Sequence, residues 1–311
     1  MTAPERYATI DVGTNTVLLL VAERRGRSLR PIAERAEITR LGRGVDQSGR
    51  LLPSAIRDTV AVLADYARLA RALGASDITC VATSAARDAL NGEEFFAAAR
   101  AAAGLTPQVI SGEEEARLVH LTAWRDFGTR DGRSCPIAVL DVGGGSTEFI
   151  VGEGPSPRER VSLQVGAVRL TERHVKGDPI PPAELAALRD AARAALEPLT
   201  ALSPAPGARL VGVAGTVTTL CAVEKALPRY DAERVHGAEL SLEAVLALLE
   251  RMARLTVAER AALPGMEPKR ADVIVAGGVI VAEAMRHTGF DRLTVSDRGV
   301  RWGLVYDRLE R

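Results

Sequence analysis

Two stretches of this chain carry one pattern. Ile10-Asp11-Val12-Gly13-Thr14-Asn15-Thr16-Val17-Leu18-Leu19-Leu20-Val21 and Leu140-Asp141-Val142-Gly143-Gly144-Gly145-Ser146-Thr147-Glu148-Phe149-Ile150-Val151 coincide at Asp, Val and Gly, and again at the closing Val. In each, an apolar run reads as a buried strand, ends in a carboxylate, turns through glycine and hydroxyl residues, and resumes as a strand. A pattern repeated once in each half predicts a duplicated fold with a phosphate site shared between the halves. Consecutive glycines such as Gly143 to Gly145 suit a backbone that takes positive φ or lets a ligand approach closely. A loop of free amides cradles an anion, and the flanking Asp141 and Glu148 are hard oxygen donors of the kind Mg²⁺ prefers. The plainer reading of the later stretch alone is a tight hairpin with an acid on either side.

Bulk properties narrow the field. A chain of 311 residues is long for one core, so two domains are the default. Forty basic and forty acidic side chains cancel, leaving no global field to draw nucleic acid or a membrane surface. The three cysteines, Cys80, Cys135 and Cys221, are far apart and lie in or beside apolar segments, which predicts buried free thiols in a reducing compartment. No apolar run approaches the roughly 20 residues of a membrane helix. The start lacks signal-peptide character, so a soluble cytoplasmic protein is expected.

Along the chain, strands are expected at Tyr7–Asp11, Val17–Glu23 and Leu29–Thr39, then a helix from Ala55 to Leu73 with Gly74 as its stop. Ile78–Ala82 is a buried strand whose C-terminal end delivers Arg87. Ligands bind at that end in open α/β sheets, so Arg87 is a candidate phosphate clamp, or else an ordinary helix-start arginine. A helix over Glu93–Ala103 and a short strand over Pro107–Ile110 follow. Ser111 with Glu114 forms a capping box, opening a helix to about Arg125. The acids Glu113, Glu114 and Glu115 complement its dipole. Neighbours on a helix point about 100° apart, so at most one of the three aims into a cleft.

The stretch Asp126–Arg133 reads as a polar loop suited to a hinge. After the central hairpin come a strand Val161–Gln164, the segment Gly166-Ala167-Val168-Arg169-Leu170, and a long helix Pro181–Leu202. Leu210–Ala214 is a buried strand that Gly215-Thr216 turns into a helix, a further phosphate or nucleotide contact point. Ser241 caps a helix to Arg254. Lys269-Arg270-Ala271-Asp272 opens an apolar helix to His287. Leu293–Val295 is the last strand, and Ser296–Gly299 starts the final helix.

Other chemistries lack their signatures. The four histidines, His120, His174, His236 and His287, show no metal-ligand spacing. Neither G-x-S-x-G nor G-x-x-x-x-G-K-[ST] occurs. Aromatics make up 4% of the chain and no basic stripe is present, which argues against nucleic-acid binding.

Two D-x-G hairpins, an acid-rich helix start between them and a third G-T turn resemble the actin-like, sugar-kinase and heat-shock ATPase superfamily. More narrowly, the chain resembles the exopolyphosphatase / guanosine pentaphosphate phosphohydrolase (Ppx/GppA) family. The motifs that carry this are Ile10–Thr16, Ser111–Leu118, Asp141–Glu148, Gly166–Leu170, Val213–Thr216 and Ser296–Gly299. Larger relatives carry extra C-terminal helical domains, whereas this chain stops at Arg311, like the short two-domain form. The resemblance implies an α/β fold of two actin-like (ribonuclease H-like, ASKHA) domains with a cleft between them, spanning 1–128 and 129–311, with the last helix free to pack on the first domain. It implies Glu115 as general base, with Asp141 and Glu148 at a Mg²⁺ (or Mn²⁺) ion and Asp11 beside it. It implies phosphate loops at Gly13, Thr14, Asn15 and Thr16 and at Gly143, Gly144, Gly145 and Ser146. Gly215 and Thr216 join these, and Arg87 and Arg270 match arginines that hold the polyanion. Inorganic polyphosphate is the implied substrate, guanosine pentaphosphate a second, and a homodimer the implied assembly.

Two other functions share these features. A phosphotransferase would move phosphate from polyphosphate or ATP to an acceptor, which the same fold permits. A non-catalytic actin-like scaffold would bind nucleotide with negligible turnover. Release of phosphate without an acceptor separates hydrolysis from both.

Overall fold

The computed structural model describes residues 5–26, 28–130 and 132–310. They fall into two compact units, Met1–Leu118 with Val300–Arg311, and Val119–Gly299. The division lies inside the helix Gly112–Phe127, where the sequence places it after that helix, at 128, and the last helix groups with the first unit.

In the first unit, strands β1 (Arg6–Val12), β2 (Thr16–Arg25), β3 (Ser28–Ile38), β4 (Asp77–Ala82) and β5 (Gln108–Val109) form one sheet in the order β3-β2-β1-β4-β5. β1 to β3 are antiparallel neighbours, while β4 and β5 run parallel to β1. Alternation sorts the side chains. Ala8, Ile10, Val12, Val17, Leu19 and Val21 face a core shared with helices Pro53–Ala72 and Gly92–Ala103. Tyr7, Leu20 and Ala22 face Trp302 and Val305 of the C-terminal helix Val300–Glu310. Asp11 lies two and four residues beyond Thr9 and Tyr7 on that second face, because strand side chains repeat with a period of two. The Thr9 hydroxyl donates to the Arg301 carbonyl at 2.8 Å, tying helix to sheet.

The second unit opens with a two-stranded ribbon, β6 (Thr129–Arg130) and β7 (Arg133–Ser134), where the sequence suggests only a loop. Its main sheet contains β8 (Ile137–Val142), β9 (Thr147–Gly152), β10 (Glu159–Leu163), β11 (Arg209–Val213), β12 (Glu239–Ser241) and β13 (Arg292–Val295), in the order β10-β9-β8-β11-β13-β12. The first five places repeat the directions of the other sheet, and β12 adds an antiparallel edge. Each unit is thus an actin-type α/β domain, the duplication that the two hairpins announce. Every residue of β8 and β9 is buried, as expected of central strands covered on both faces.

Three readings change. The helix expected over Pro181–Leu202 ends at Ala195, and Glu197–Ala201 is a separate 3₁₀ turn, because Pro198 has no amide to continue the ladder. Lys269 and Arg270 belong to a 3₁₀ turn capped by the Glu267 side chain, and the apolar helix starts at Ile274. Ser111 does cap its helix, accepting from Glu114 N at 3.1 Å, but the Glu114 carboxylate turns to Arg117 instead of closing the box. Short elements such as Ser84–Asp88, Ala232–Val235, Val257–Ala261 and β12 carry too few residues for periodicity to reveal them. Cys80 and Cys221 are buried free thiols, while Cys135 is half-buried. Among the described residues no helix is long and apolar enough to cross a membrane.

Candidate active site

In the first unit Asp11 stands near the C-terminal end of β1, opposite Leu18 on β2 and Val81 on β4. The turn after it closes with Gly13 N donating to the Thr16 carbonyl at 3.0 Å. The Thr14 carbonyl accepts from Gly42 N at 2.8 Å, and the Asn15 carbonyl from Thr39 N and Arg40 N at 3.1 and 3.0 Å. A trans peptide points its N–H opposite its C=O, so carbonyls held from behind turn the following amides to the other side. Thr14, Asn15 and Thr16 are buried, and Asn15 Nδ2 is a donor with no acceptor among the described residues. A buried donor without a partner is costly, which fits a site for an anion's oxygen.

Asp11 shows the opposite need. Its Oδ1 is buried and has no hydrogen-bond donor among the described residues. Burial pushes its pKa up to about 6, against the opposing pull of the Arg301 charge.

Arg87 and Glu115, from distant stretches of sequence, come together. Arg87 Nη1 donates to the Ile110 carbonyl at 2.9 Å and lies 3.5 Å from Glu115 Oε2, while its Nη2 is buried without an acceptor among the described residues. Of the three successive acids, Glu113 is exposed, Glu114 pairs with Arg117, and only Glu115 is buried. Helical geometry allows one acid to point inward, and packing selects this one.

In the second unit Asp141 on β8 and Glu148 on β9 are directly opposed in register. Ser162 on β10 opposes Glu148 from the other side and donates to its Oε1 at 2.7 Å. Directly opposed residues share a sheet face, so Asp141, Glu148 and Ser162 form a row across three strands. Two carboxylates in direct opposition repel each other, and a cation relieves that.

The glycine loop follows Asp141. Gly143 N donates to the Ser146 carbonyl at 3.0 Å, the same closure as in the first hairpin. All three glycine carbonyls are held from one side: Gly143 by Ala167 N at 2.9 Å, Gly144 by Val168 N and Arg169 N at 2.9 and 3.2 Å, and Gly145 by Arg169 Nε at 2.9 Å. The amides of Gly144, Gly145 and Ser146 therefore point the other way. Gly166 packs so tightly behind the loop that a methyl group there would run into the Gly144 carbonyl.

Gly215 and Thr216 open the helix Ala214–Glu224 beside this loop, and Thr216 Oγ1 donates to the Val142 carbonyl at 3.2 Å. Ala214 takes φ of 69°, the left-handed value that turns strand sharply into helix. The Arg270 guanidinium lies against Gly215, where any β-carbon would collide with it. Burial holds the Arg270 pKa below the usual arginine range.

The opposed pair Asp141 and Glu148 suits a magnesium or manganese ion, and in the first unit Asp11 keeps a buried oxygen with no donor among the described residues. Among the described residues no three His, Cys, Asp or Glu side chains group to hold an ion. Ser162, Arg169 and Gly42 escape a reading of the sequence. Arg169 stands in a matched motif without a role, and the other two are visible only through strand register and loop contact.

Known proteins resemble this chain along nearly its whole length. The profile of the Ppx/GppA phosphatase family matches residues 20–311. Exopolyphosphatase 2 of Mycobacterium tuberculosis is 39% identical, over 96% of this chain and 97% of its own. Exopolyphosphatase 1 of Mycobacterium bovis is 32% identical, over 98% of this chain and 88% of its own. Among solved structures, the Aquifex aeolicus member of the Ppx/GppA family superposes with a TM-score of 0.82 at 33% identity, covering 99% of this chain and 98% of that one.

Proposed function

Because the chain belongs to the Ppx/GppA phosphatase family, we propose that it is an exopolyphosphatase, hydrolysing the terminal phosphoanhydride of inorganic polyphosphate. The observation that carries this reading is the Asp141–Glu148 pair flanking a loop whose amides all point one way. Phosphoryl transfer to water needs charge neutralisation, positioning and an oriented nucleophile, with little covalent help.

Each residue supplies one of these. The amides of Gly144, Gly145 and Ser146 hold phosphoryl oxygens, and Gly13 to Thr16 offer a second loop of the same construction. Thr216 and the start of its helix add dipoles of the same sign. Arg270 and Arg87 bring fixed positive charge. Glu115 orients the water and accepts its proton as the water oxygen bonds to phosphorus and the bridging P–O bond breaks. The products are orthophosphate and a chain one unit shorter. Asp141 and Glu148 would hold magnesium, which when bound neutralises phosphoryl charge, and Asp11 is the corresponding strand-end carboxylate of the first unit.

Guanosine pentaphosphate presents a terminal phosphate of the same chemistry and is the second substrate proposed. The free thiols Cys80, Cys135 and Cys221 suit the reducing cytoplasm, the compartment proposed for it.

The test is phosphate release from long-chain polyphosphate, with Mg²⁺ and with excess EDTA, against guanosine pentaphosphate and ATP in parallel. Metal-dependent release from polyphosphate without an added acceptor is expected. Release only when an acceptor is present would overturn hydrolysis in favour of transfer.

A further inference from the structure

The segment Gly166 to Leu170 has no role in the chemistry above, yet its hydrogen bonds reach all three glycine carbonyls of the loop. Three successive glycines form the most easily flipped backbone a chain can have, because none carries a β-carbon to penalise alternative φ values. One flipped peptide would turn a carbonyl oxygen toward a bound phosphoryl group and replace attraction with repulsion. Something must hold each of the three carbonyls.

Backbone amides at the start of the helix Ala167–His174 hold two of them, Gly143 and Gly144. The third, on Gly145, is held by a side chain, Arg169 Nε at 2.9 Å. The guanidinium is itself braced, with Nη2 donating to Gln164 Oε1 at 3.1 Å. In the first unit the matching carbonyls of Thr14 and Asn15 accept from the backbone amides of Gly42, Thr39 and Arg40. That loop carries β-carbons at Thr14, Asn15 and Thr16, which already resist a flip.

We propose that Arg169 is a positioning residue whose guanidinium pins the Gly145 carbonyl and so keeps the Ser146 amide aimed at a bound phosphoryl group. A charge-assisted bond suits this task better than a neutral one, being roughly twice as strong. The same cation stands behind the amides and adds to the positive field that an anion meets there. Arg169 touches the loop's carbonyl side, so it acts through the loop and not on the substrate.

This inference rests on the loop being a phosphate cradle, as the exopolyphosphatase reading holds, and its test separates the two. Isothermal titration with inorganic phosphate is run on wild type, Arg169→Ala and Arg169→Gln, alongside melting curves and polyphosphate turnover. Both variants are expected to melt near the wild type and to bind phosphate about ten- to a hundredfold more weakly, the range that loss of one hydrogen bond to a charged group covers. Millimolar guanidinium chloride is expected to restore part of the binding to Arg169→Ala by occupying the emptied position. Wild-type phosphate affinity in either folded variant overturns the proposal, as does lost affinity that guanidinium leaves unchanged. Wild-type protein that binds phosphate but never releases it from polyphosphate would remove the exopolyphosphatase reading, and Arg169 would then be judged on binding alone.

Discussion

Ser162 reaches across the β9–β10 register and donates its hydroxyl to Glu148 Oε1 at 2.7 Å. Glu148 is buried and directly faces Asp141, so this bond fixes how its carboxylate is turned within the pair proposed to hold magnesium. Partners that orient a metal ligand typically alter metal affinity by about 10- to 100-fold when removed. Ser162→Ala is expected to raise the Mg²⁺ concentration for half-maximal phosphate release by that factor and to weaken Mg²⁺-induced thermal stabilisation without substrate. Unchanged Mg²⁺ dependence in both assays would show that the hydroxyl is incidental.

Glu115→Gln keeps an oxygen that accepts from Arg87 and preserves the side-chain volume, so the variant is expected to melt like the wild type. Its amide cannot take the proton of an attacking water, and turnover should fall by about 10²- to 10⁴-fold. Wild-type turnover in the folded variant would remove Glu115 from the role of base.

Gly166→Ala places a methyl group against the Gly144 carbonyl, a backbone atom that cannot swing aside. Overpacking of this kind costs about 1–3 kcal/mol, and the displaced loop should lose phosphate binding along with stability. Gly154→Ala is the control, since a methyl there meets open space and φ lies outside the left-handed region. Equal effects at the two positions would contradict the close packing behind the loop.

His120 is fully buried, with Nε2 bonded to the Gly154 carbonyl at 2.8 Å. In that arrangement Nε2–H donates, and Nδ1 has no partner among the described residues. Burial lowers its pKa, opposed by the Gly154 bond. An unfolded histidine binds its proton at about pH 6.5, and the folded one only at lower pH. Its contribution to stability is therefore complete above that value and lost as pH falls below it. His120→Gln, which can still donate to Gly154, should flatten the acid side of the stability curve. Urea midpoints at about pH 7.5 and 5.5 for both proteins check this, and parallel slopes would refute it.

Both hairpins are legible in the sequence because turn chemistry is local. A carboxylate at a strand end, then glycine and hydroxyl residues, then another strand, needs only neighbours a few residues apart. That one acid among Glu113, Glu114 and Glu115 is buried follows likewise from helical angles, though not which one. The helix starting at Ser111 is legible from its cap. The breaks at Pro198 and before Ile274 are harder to read, because Ala- and Leu-rich composition outweighs single interruptions in a periodic pattern.

By itself the sequence determined the duplication, the α/β class and the residue types at each strand end, since all of these follow from short-range pattern and repetition. Tertiary structure alone decided that Arg87 meets Glu115, that Ser162 orients Glu148, and that Arg169 holds Gly145. These contacts join residues 28, 14 and 24 positions apart. Strand register and the docking of one helix against one loop set them, and neither is written in local propensity.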